Sequence, residues 1–362
     1  MDSAIKIVGT LGATCWVVPS NAVAKVKQFA QLLQNSGYLV WVCDGVADQV
    51  EINAALAAGK SVALGEGNFN ITASINLDSN QTLKGNGKNT ILTTATAGLI
   101  FISAVGGSGT EKTGITISDM QIDGATVSEV GIWFKYVDFS VIQNVYARRH
   151  SSGAGTYCSG IYLWLSDFNQ ILGNNCQGPG YDGIFLKSSN NNIISGTTCV
   201  GNNAGIALDT SNNNTVSGNV CQGNIYIGME LCATSRHNTV SGNVCQGNNT
   251  HGINLMAAHN NVISGNTCVG NSQQTDNIFH NIRLEDADYN LLIGNLCRDG
   301  GGAKQPQYGI CIFNDACDRN CLVGNDLYDS GRTGDLNDVP TTNPTLKKSN
   351  RNLAGTGWIA EV

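Results

Sequence analysis

Along most of the chain, apolar residues alternate with polar or variable ones in short runs that end on Gly and Asn. One run has the form Gly-Ile-x-Leu. It begins at Gly131-Ile132, Gly160-Ile161, Gly183-Ile184, Gly205-Ile206, Gly228-Met229, Gly252-Ile253, Asn281-Ile282 and Gly309-Ile310. The other is a ten-residue phrase, Thr215-Val216-Ser217-Gly218-Asn219-Val220-Cys221-Gln222-Gly223-Asn224, which returns letter for letter at Thr239 to Asn248. Looser copies run from Ile193 to Asn202 and from Val262 to Asn271, and degenerate ones begin near Gln170, Leu291 and Cys321. Alternation at period two is the signature of a strand with two different faces, and no helical period competes in this interval. Each repeat therefore predicts two or three short strands joined at Gly and Asn corners.

The spacing decides how the strands assemble. The repeat cysteines Cys176, Cys199, Cys221, Cys245, Cys268 and Cys297 are separated by steps of 23, 22, 24, 23 and 29 residues. A repeat of this length cannot bury its apolar face alone, so it stacks on its neighbours as a solenoid. A leucine-rich repeat would need several leucines and an alternating helix, which are missing. The predicted fold is all-β: a single-stranded parallel β-helix with coils about 4.8 Å apart.

Ile and Leu of the first run, with Val and Cys of the second, then fill the lumen. The six cysteines form one interior column and read as small buried hydrophobes. Stacked Cβ vectors run parallel, which does not suit disulfides. Two asparagine columns mark corners: Asn144, Asn174, Asn219, Asn243, Asn266, Asn295 and Asn325, with Thr197 as the exception, and Asn169, Asn192, Asn214, Asn238, Asn261, Asn290 and Asn320. An amide can bond both the turn backbone and the next amide in the stack, so these residues are predicted to be structural.

Outside the repeats, residues 1–40 read as a separate lead-in, with a helix over 21–36 that turns Val26, Phe29, Leu32 and Leu33 inward. Asp48 is an expected N-cap of a helix over 48–58 whose face is Ile52, Ala55 and Leu56. Such a helix can cover the open end of a β-helix, within a body spanning 41–330. Residues 331–362 read as a loop-rich C-terminal cap or tail, with a last strand at Trp358-Ile359-Ala360.

These phrases resemble the short NosD-type repeats of right-handed parallel β-helix proteins in the pectin-lyase-like superfamily. The segments Asp44 to Leu56 and Val62 to Ile71 are similar to those that lead into the coils of phage tail spikes and polysaccharide-degrading β-helices. The resemblance covers roughly residues 40–330. It implies a right-handed coil and an extracellular or virion-associated setting. It leaves open a lyase, a hydrolase, an epimerase or a non-catalytic protein, because this fold hosts all of them.

Composition narrows the choice. Charged residues are 13% of the 362, Gly numbers 44, and the net charge is −7. An acidic chain does not build the basic stripe of a nucleic-acid groove, and Arg148-Arg149-His150 is an isolated loop feature. No apolar run is long enough to span a membrane. The start, Met1 to Lys6, does not read as a signal peptide, because an acid comes early and only one Lys is present. Thirteen cysteines, an odd number, do not fit a secreted disulfide scaffold. Cys311, Cys317 and Cys321 match no zinc spacing, and no metal site is expected.

Candidate chemistry lies on the outward positions of the Gly-Ile run. The first outward column reads Trp133, Tyr162, Phe185, Ala207, Glu230, Asn254, Arg283, Cys311, and the second reads Lys135, Trp164, Lys187, Asp209, Cys232, Met256, Glu285, Phe313. Trp133, Tyr162, Trp164 and Phe185, with Lys187, are expected as a sugar-binding surface. A subunit interface or loop cover would also explain the aromatics. Asp209 and Glu230 fall diagonally on adjacent coils, with Cα atoms roughly 8 Å apart. That suits an acid and base of inverting-glycosidase type. Asp182 completes a loose acidic set, Arg283 and Lys187 are the basic candidates, and Glu285 sits where it can pair with Arg283. His251 and His280 read as turn residues. Longer steps at 147–159, 271–280 and 299–308 fall at one corner and would wall this face.

The leading expectation is a β-helix that binds, and as a lyase or glycoside hydrolase cleaves, a polysaccharide. A hydrolase needs no cofactor, whereas a lyase would call on Ca²⁺. The alternative is a non-catalytic structural or adhesive solenoid, for which a homotrimer would be natural. A NosD-like accessory role in metal-site assembly is a third reading, opposed by the lack of His clusters.

Overall fold

The computed structural model describes residues 15–150, 158–178, 180–339 and 345–351. The chain divides into two compact units, Met1–Tyr181 and Asp182–Val362, and each is built of right-handed parallel β-helical coils.

In the first unit, the strand Cys15–Val18 pairs in parallel with both Val40–Val42 and Ser61–Leu64. The described part of the lead-in is thus a coil of the same stack. Helix α1, Ala24–Asn35, packs Val26, Phe29, Ala30 and Leu33 against Trp16, Val18, Val40 and Ala63. Leu32, expected inward, is 62% exposed. At 100° per residue it falls off the stripe that 26, 29, 30 and 33 define. Helix α2, Gln49–Ala58, buries Ile52, Ala55 and Leu56 as expected. Asp48 precedes it but does not cap it. Its carboxylate accepts instead from the backbone N–H of Gly45 at 2.8 Å and of Asn70 at 2.7 Å, tying the lead-in loop to the next coil. The strand Ile100–Val105 and the Gly-Ile strands Val130–Lys135 and Ser159–Trp164 follow in parallel register.

In the second unit, Asp182–Lys187, Ala204–Asp209, Ile227–Cys232, Ile253–Met256, His280–Glu285, Tyr308–Ile312 and Gly334–Asp338 pair in that order to make one parallel sheet. The ten-residue phrase supplies two further short strands per coil, as at Thr215–Ser217 and Val220–Gln222. Within 331–350, the strands Gly334–Asp338 and Leu346–Lys348 extend the stack where a loop is predicted. The predicted strand at 358–360 lies outside the described residues.

The sequence of each phrase follows from these contacts. The glycine of Gly-Ile is there for space. A Cβ on Gly205 would sit 2.5 Å from the carbonyl oxygen of Gly228 and 2.7 Å from Cys221 Sγ. The glycine of Ser-Gly-Asn makes the corner, with φ of 63° at Gly218 and 62° at Gly242, where L-residues are strained. Cys199, Cys221, Cys245, Cys268 and Cys297 lie in register in the lumen, fully buried and unbridged.

The asparagine columns are hydrogen-bonded ladders. Asn243 Nδ2 donates to Val216 O at 2.9 Å and to Asn266 Oδ1 at 3.0 Å. Its Oδ1 accepts from the N–H and the Nδ2 of Asn219 at 2.9 and 3.0 Å. All four bonding directions of a buried amide are thereby used. The column Asn214, Asn238, Asn261, Asn290 and Asn320 repeats the scheme. Asn144 does not belong to its predicted ladder. Register pairing of Gln143 with Leu172 and Val145 with the position of Asn174 puts it at the glycine corner. There it adopts φ 53° and donates to Asp119 Oδ1. A third ladder, Asn202–Asn224–Asn248–Asn271, ends each phrase. Its last member donates to Asn281 Oδ1 at 2.7 Å.

Candidate functional site

The candidate acids gather in the second unit. Strand register sets Phe185, Ala207, Glu230, Asn254 and Arg283 in one outward column and Lys187, Asp209, Cys232, Met256 and Glu285 in the next. Asp209 and Glu230 are on adjacent coils, two positions out of register, as the alternation predicts. Between the coils of Phe185 and Glu230 the column presents only Ala207, whose methyl leaves room for the longer acid above it.

Burial and like charge shape the acids. Glu230 lies above its usual carboxylate range because it is buried and faces Asp209, while the Asn254 amide, donating to its Oε1 at 3.2 Å, works against this. Asp182 is 4% exposed. Burial, and then the field of Glu230, push it up to about 8, opposed by a hydrogen bond from the Ala204 backbone. It therefore keeps its proton at neutral pH. The Cys232 thiol is pushed up to about 12, first by burial and then by Glu230, Asp209 and Asp182. Three carboxyl groups thus share one field, which is the arrangement that separates acid and base roles.

The basic candidates are both engaged. Lys187 Nζ lies 3.9 Å from Asp209 Oδ2. Arg283 Nη1 lies 2.6 Å from Glu285 Oε2, the pairing expected from their spacing, and its guanidinium stands 4.4 Å from the centre of the Phe313 ring. His251 and His280 are more than turn residues. They are buried, their rings lie 5.3 Å apart, and His280 is followed by Tyr308 at 5.6 Å. The backbone N–H of His280 donates to His251 Nδ1 at 3.0 Å, and His280 Nδ1 is buried without a partner. Burial, with Arg283 nearby, lowers His280 to about 3, and burial with His280 and Arg283 lowers His251 as well, so both rings are neutral. The walls expected at 271–280 and 299–308 are tied together. Lys304 Nζ donates to the carbonyls of Gln273 and Gln274, and Gln305 O accepts from Asn277.

The aromatic surface differs from expectation. In the first unit Trp133 pairs in register with Tyr162, and Lys135 with Trp164. Tyr162 is 3% exposed, and in the second unit Phe185 is 8% exposed, so neither offers a flat face to solvent. Trp133 and Trp164 are half-buried, and Lys135 Nζ stands 4.1 Å over the Trp164 ring. The reason is that a position can point away from the lumen and still be covered by neighbouring structure, which alternation does not report. The step at 147–159 lies mostly outside the described residues. Arg148 and Arg149, read as a loop feature, both clamp Asp123 (2.8 and 2.6 Å) and hold its carboxyl below the usual range despite its burial.

Comparison with known proteins places the chain. A family model described as "Periplasmic copper-binding protein (NosD)" matches residues 45–248 and 231–350. Among solved structures, the Dettilon tailspike protein is similar with a TM-score of 0.73 at 16% identity, over 87% of this chain and 66% of its own. The A-module of mannuronan C-5 epimerase AlgE4 from Azotobacter vinelandii gives 0.65 at 15%, over 85% and 92%. The periplasmic alginate epimerase AlgG gives 0.55 at 18%, over 80% and 76%. At these identities the likeness shows the fold alone. No curated protein matches the chain by sequence.

The family description invites a test for copper, which prefers thiolate, thioether and imidazole donors. The repeat thiols are packed in the lumen, with Cys245 hydrogen-bonded to Cys221 and Cys268. The one cluster of three His, Cys, Asp or Glu donors among the described residues is Cys43, Asp48 and Glu51, a mostly hard set in which both Asp48 oxygens already accept backbone N–H groups. On the outward face, Cys232 and Met256 bring two sulfurs to adjacent coils, but burial and then the surrounding acids push the thiol up to about 12. These residues do not fit a copper centre.

Proposed function

The chain belongs to the NosD family, and within it we propose a polysaccharide-binding β-helix, extracellular or virion-associated, that hydrolyses its ligand on the Gly-Ile face of the second unit. The observation that carries this reading is Glu230, an outward acid raised above its usual range by burial and by Asp209 on the adjacent coil. In this reading Glu230 is the general acid that protonates the leaving glycosidic oxygen. Asp209 directs water to the opposite side of the sugar, and burial with the field of Asp209 raises Glu230 for its role as acid. The tailspike and epimerase likenesses agree with an extended ligand on such a face. A lyase is less well supported, since Lys187 and Arg283, its basic candidates, are each paired with a carboxylate.

The test is to follow reducing ends and the ultraviolet absorbance of a new C=C bond across a polysaccharide panel, with Glu230→Gln as control. Reducing ends without absorbance, lost in the variant, are expected. Absorbance would replace the hydrolase by a lyase, and equal release by Glu230→Gln would remove that residue from the mechanism.

One observation favours a non-catalytic, adhesive solenoid: the ten-residue phrases Thr215–Asn224 and Thr239–Asn248 are identical, where a reaction centre usually breaks its repeat. Binding by a homotrimer without any release of reducing ends would establish that second reading.

A further inference from the structure

Lys187 and Arg283, the cations of the two outward columns in the second unit, are each matched by a carboxylate. Lys187 is held by Asp209, and Arg283 is held by Glu285 while it stacks on Phe313. Both bridges have partly buried side chains, so water screens them less than a surface pair. The neighbouring imidazoles of His251 and His280 are neutral and add no positive charge.

What remains unmatched is acidic or accepting. Glu230, the third outward acid, makes no salt bridge among the described residues, and its hydrogen-bond partner is the Asn254 amide. Asn254 spends its amide hydrogen on Glu230 Oε1, while its own buried Oδ1 accepts nothing. Ala204 and Ala207, in register between the coils of Asp182 and Glu230, add no polar group. A carboxylate on a sugar laid here would enter a partly dry setting in which both cations of these columns are already held, Lys187 by Asp209 and Arg283 by Glu285.

We propose that the sugar residue seated over Glu230 carries no carboxylate: this face selects a polymer rich in hydroxyl or amine donors and rejects homopolymeric uronates. Rejection comes from desolvating a carboxylate that finds no free cation, and Glu285 sets it by occupying the guanidinium of Arg283. The inference rests on the polysaccharide-binding reading above and goes further by naming the substrate class.

The experiment is affinity electrophoresis of the full chain in gels containing neutral glucan, mannan, chitosan, polygalacturonate or alginate, at neutral pH and low salt. Wild type should be retarded by at least one polymer without carboxylates, and about 100-fold less strongly by both polyuronates. Glu285→Gln, which frees Arg283, should narrow that gap about tenfold or more, with its thermal unfolding recorded to show that it folds. Polyuronate binding by wild type as tight as that of the best other polymer would overturn the inference and leave polysaccharide binding standing. Retardation by none of the five would instead sink the binding reading beneath it. An unchanged gap in a folded Glu285→Gln would remove Arg283 and Glu285 from selectivity.

Discussion

Replacing Asn243 by Ala deletes one rung of the central ladder, and its consequence can be worked from the bonds it makes. Asn266 Oδ1 keeps the backbone N–H of Asn243 at 3.0 Å, and Asn219 Nδ2 keeps Ile194 O at 3.0 Å, so neither amide is wholly orphaned. Two backbone groups lose their side-chain partner: the N–H of Asn219, which donates to Asn243 Oδ1, and the carbonyl of Val216, which accepts from Asn243 Nδ2. Asn219 and Asn243 are fully buried, so water does not replace what is lost. A buried unsatisfied group costs about 1–3 kcal/mol, which puts the substitution on the order of 3–5 kcal/mol. In a solenoid this loss is local to the coil and its neighbours rather than spread through the chain. The assay is amide hydrogen exchange with a urea unfolding curve. The Asn219 amide should lose protection by about two orders of magnitude or more, since each 1.4 kcal/mol is tenfold. Protection within threefold of wild type at Asn219, with an unchanged urea midpoint, would refute the claim that the ladders carry the corners.

Other consequences are equally open to measurement. Asp182 is raised in the folded state, so its contribution to stability is complete at acid pH and declines as pH rises towards 8. Asp182→Asn should therefore gain stability relative to wild type between pH 4 and pH 8, and a constant difference in melting temperature over that range would contradict the shift. Asp123 is held low by Arg148 and Arg149, so its contribution is present above the ordinary carboxylate range and lost as pH falls. Asp123→Asn should destabilise by roughly 2–4 kcal/mol at pH 7 and progressively less as pH falls below the ordinary carboxylate range, read from urea midpoints. Gly205→Ala drives a methyl into the Gly228 carbonyl and Cys221 Sγ, and should cost about 3 kcal/mol or more. Gly223→Ala, at φ 57° in open space, should cost only about 1 kcal/mol, and equal melting temperatures for the two would refute the packing argument.

The repeat was legible because its physics is periodic. Alternation gave the strands and their faces, the recurring Cys gave the lumen, and the recurring Asn gave two ladders. The third ladder, through Asn202, Asn224, Asn248 and Asn271, stands in the last letter of the same phrase and was open to the same argument. What pattern could not supply was everything set between distant segments. Asp123 lies 25 residues or more from the arginines that clamp it, and Asp48 spends its carboxylate on Asn70 rather than on its own helix. In the candidate site the register of Asp209, Glu230, Arg283 and Glu285 was readable, because neighbours on stacked strands follow from spacing. The burial of Tyr162, Phe185 and Asp182 was not, because cover over an outward column comes from outside the alternating run.

Whether a polysaccharide binds on the acidic Gly-Ile face of the second unit can be decided by one calorimetric comparison. The best-retarded polymer is titrated into wild type and into Glu230→Ala with a matched melting temperature. Affinity should fall at least tenfold in the variant, because Glu230, bonded to the Asn254 amide, is the acid the ligand meets on this face. Full affinity in a folded Glu230→Ala would place the ligand elsewhere and contradict the site.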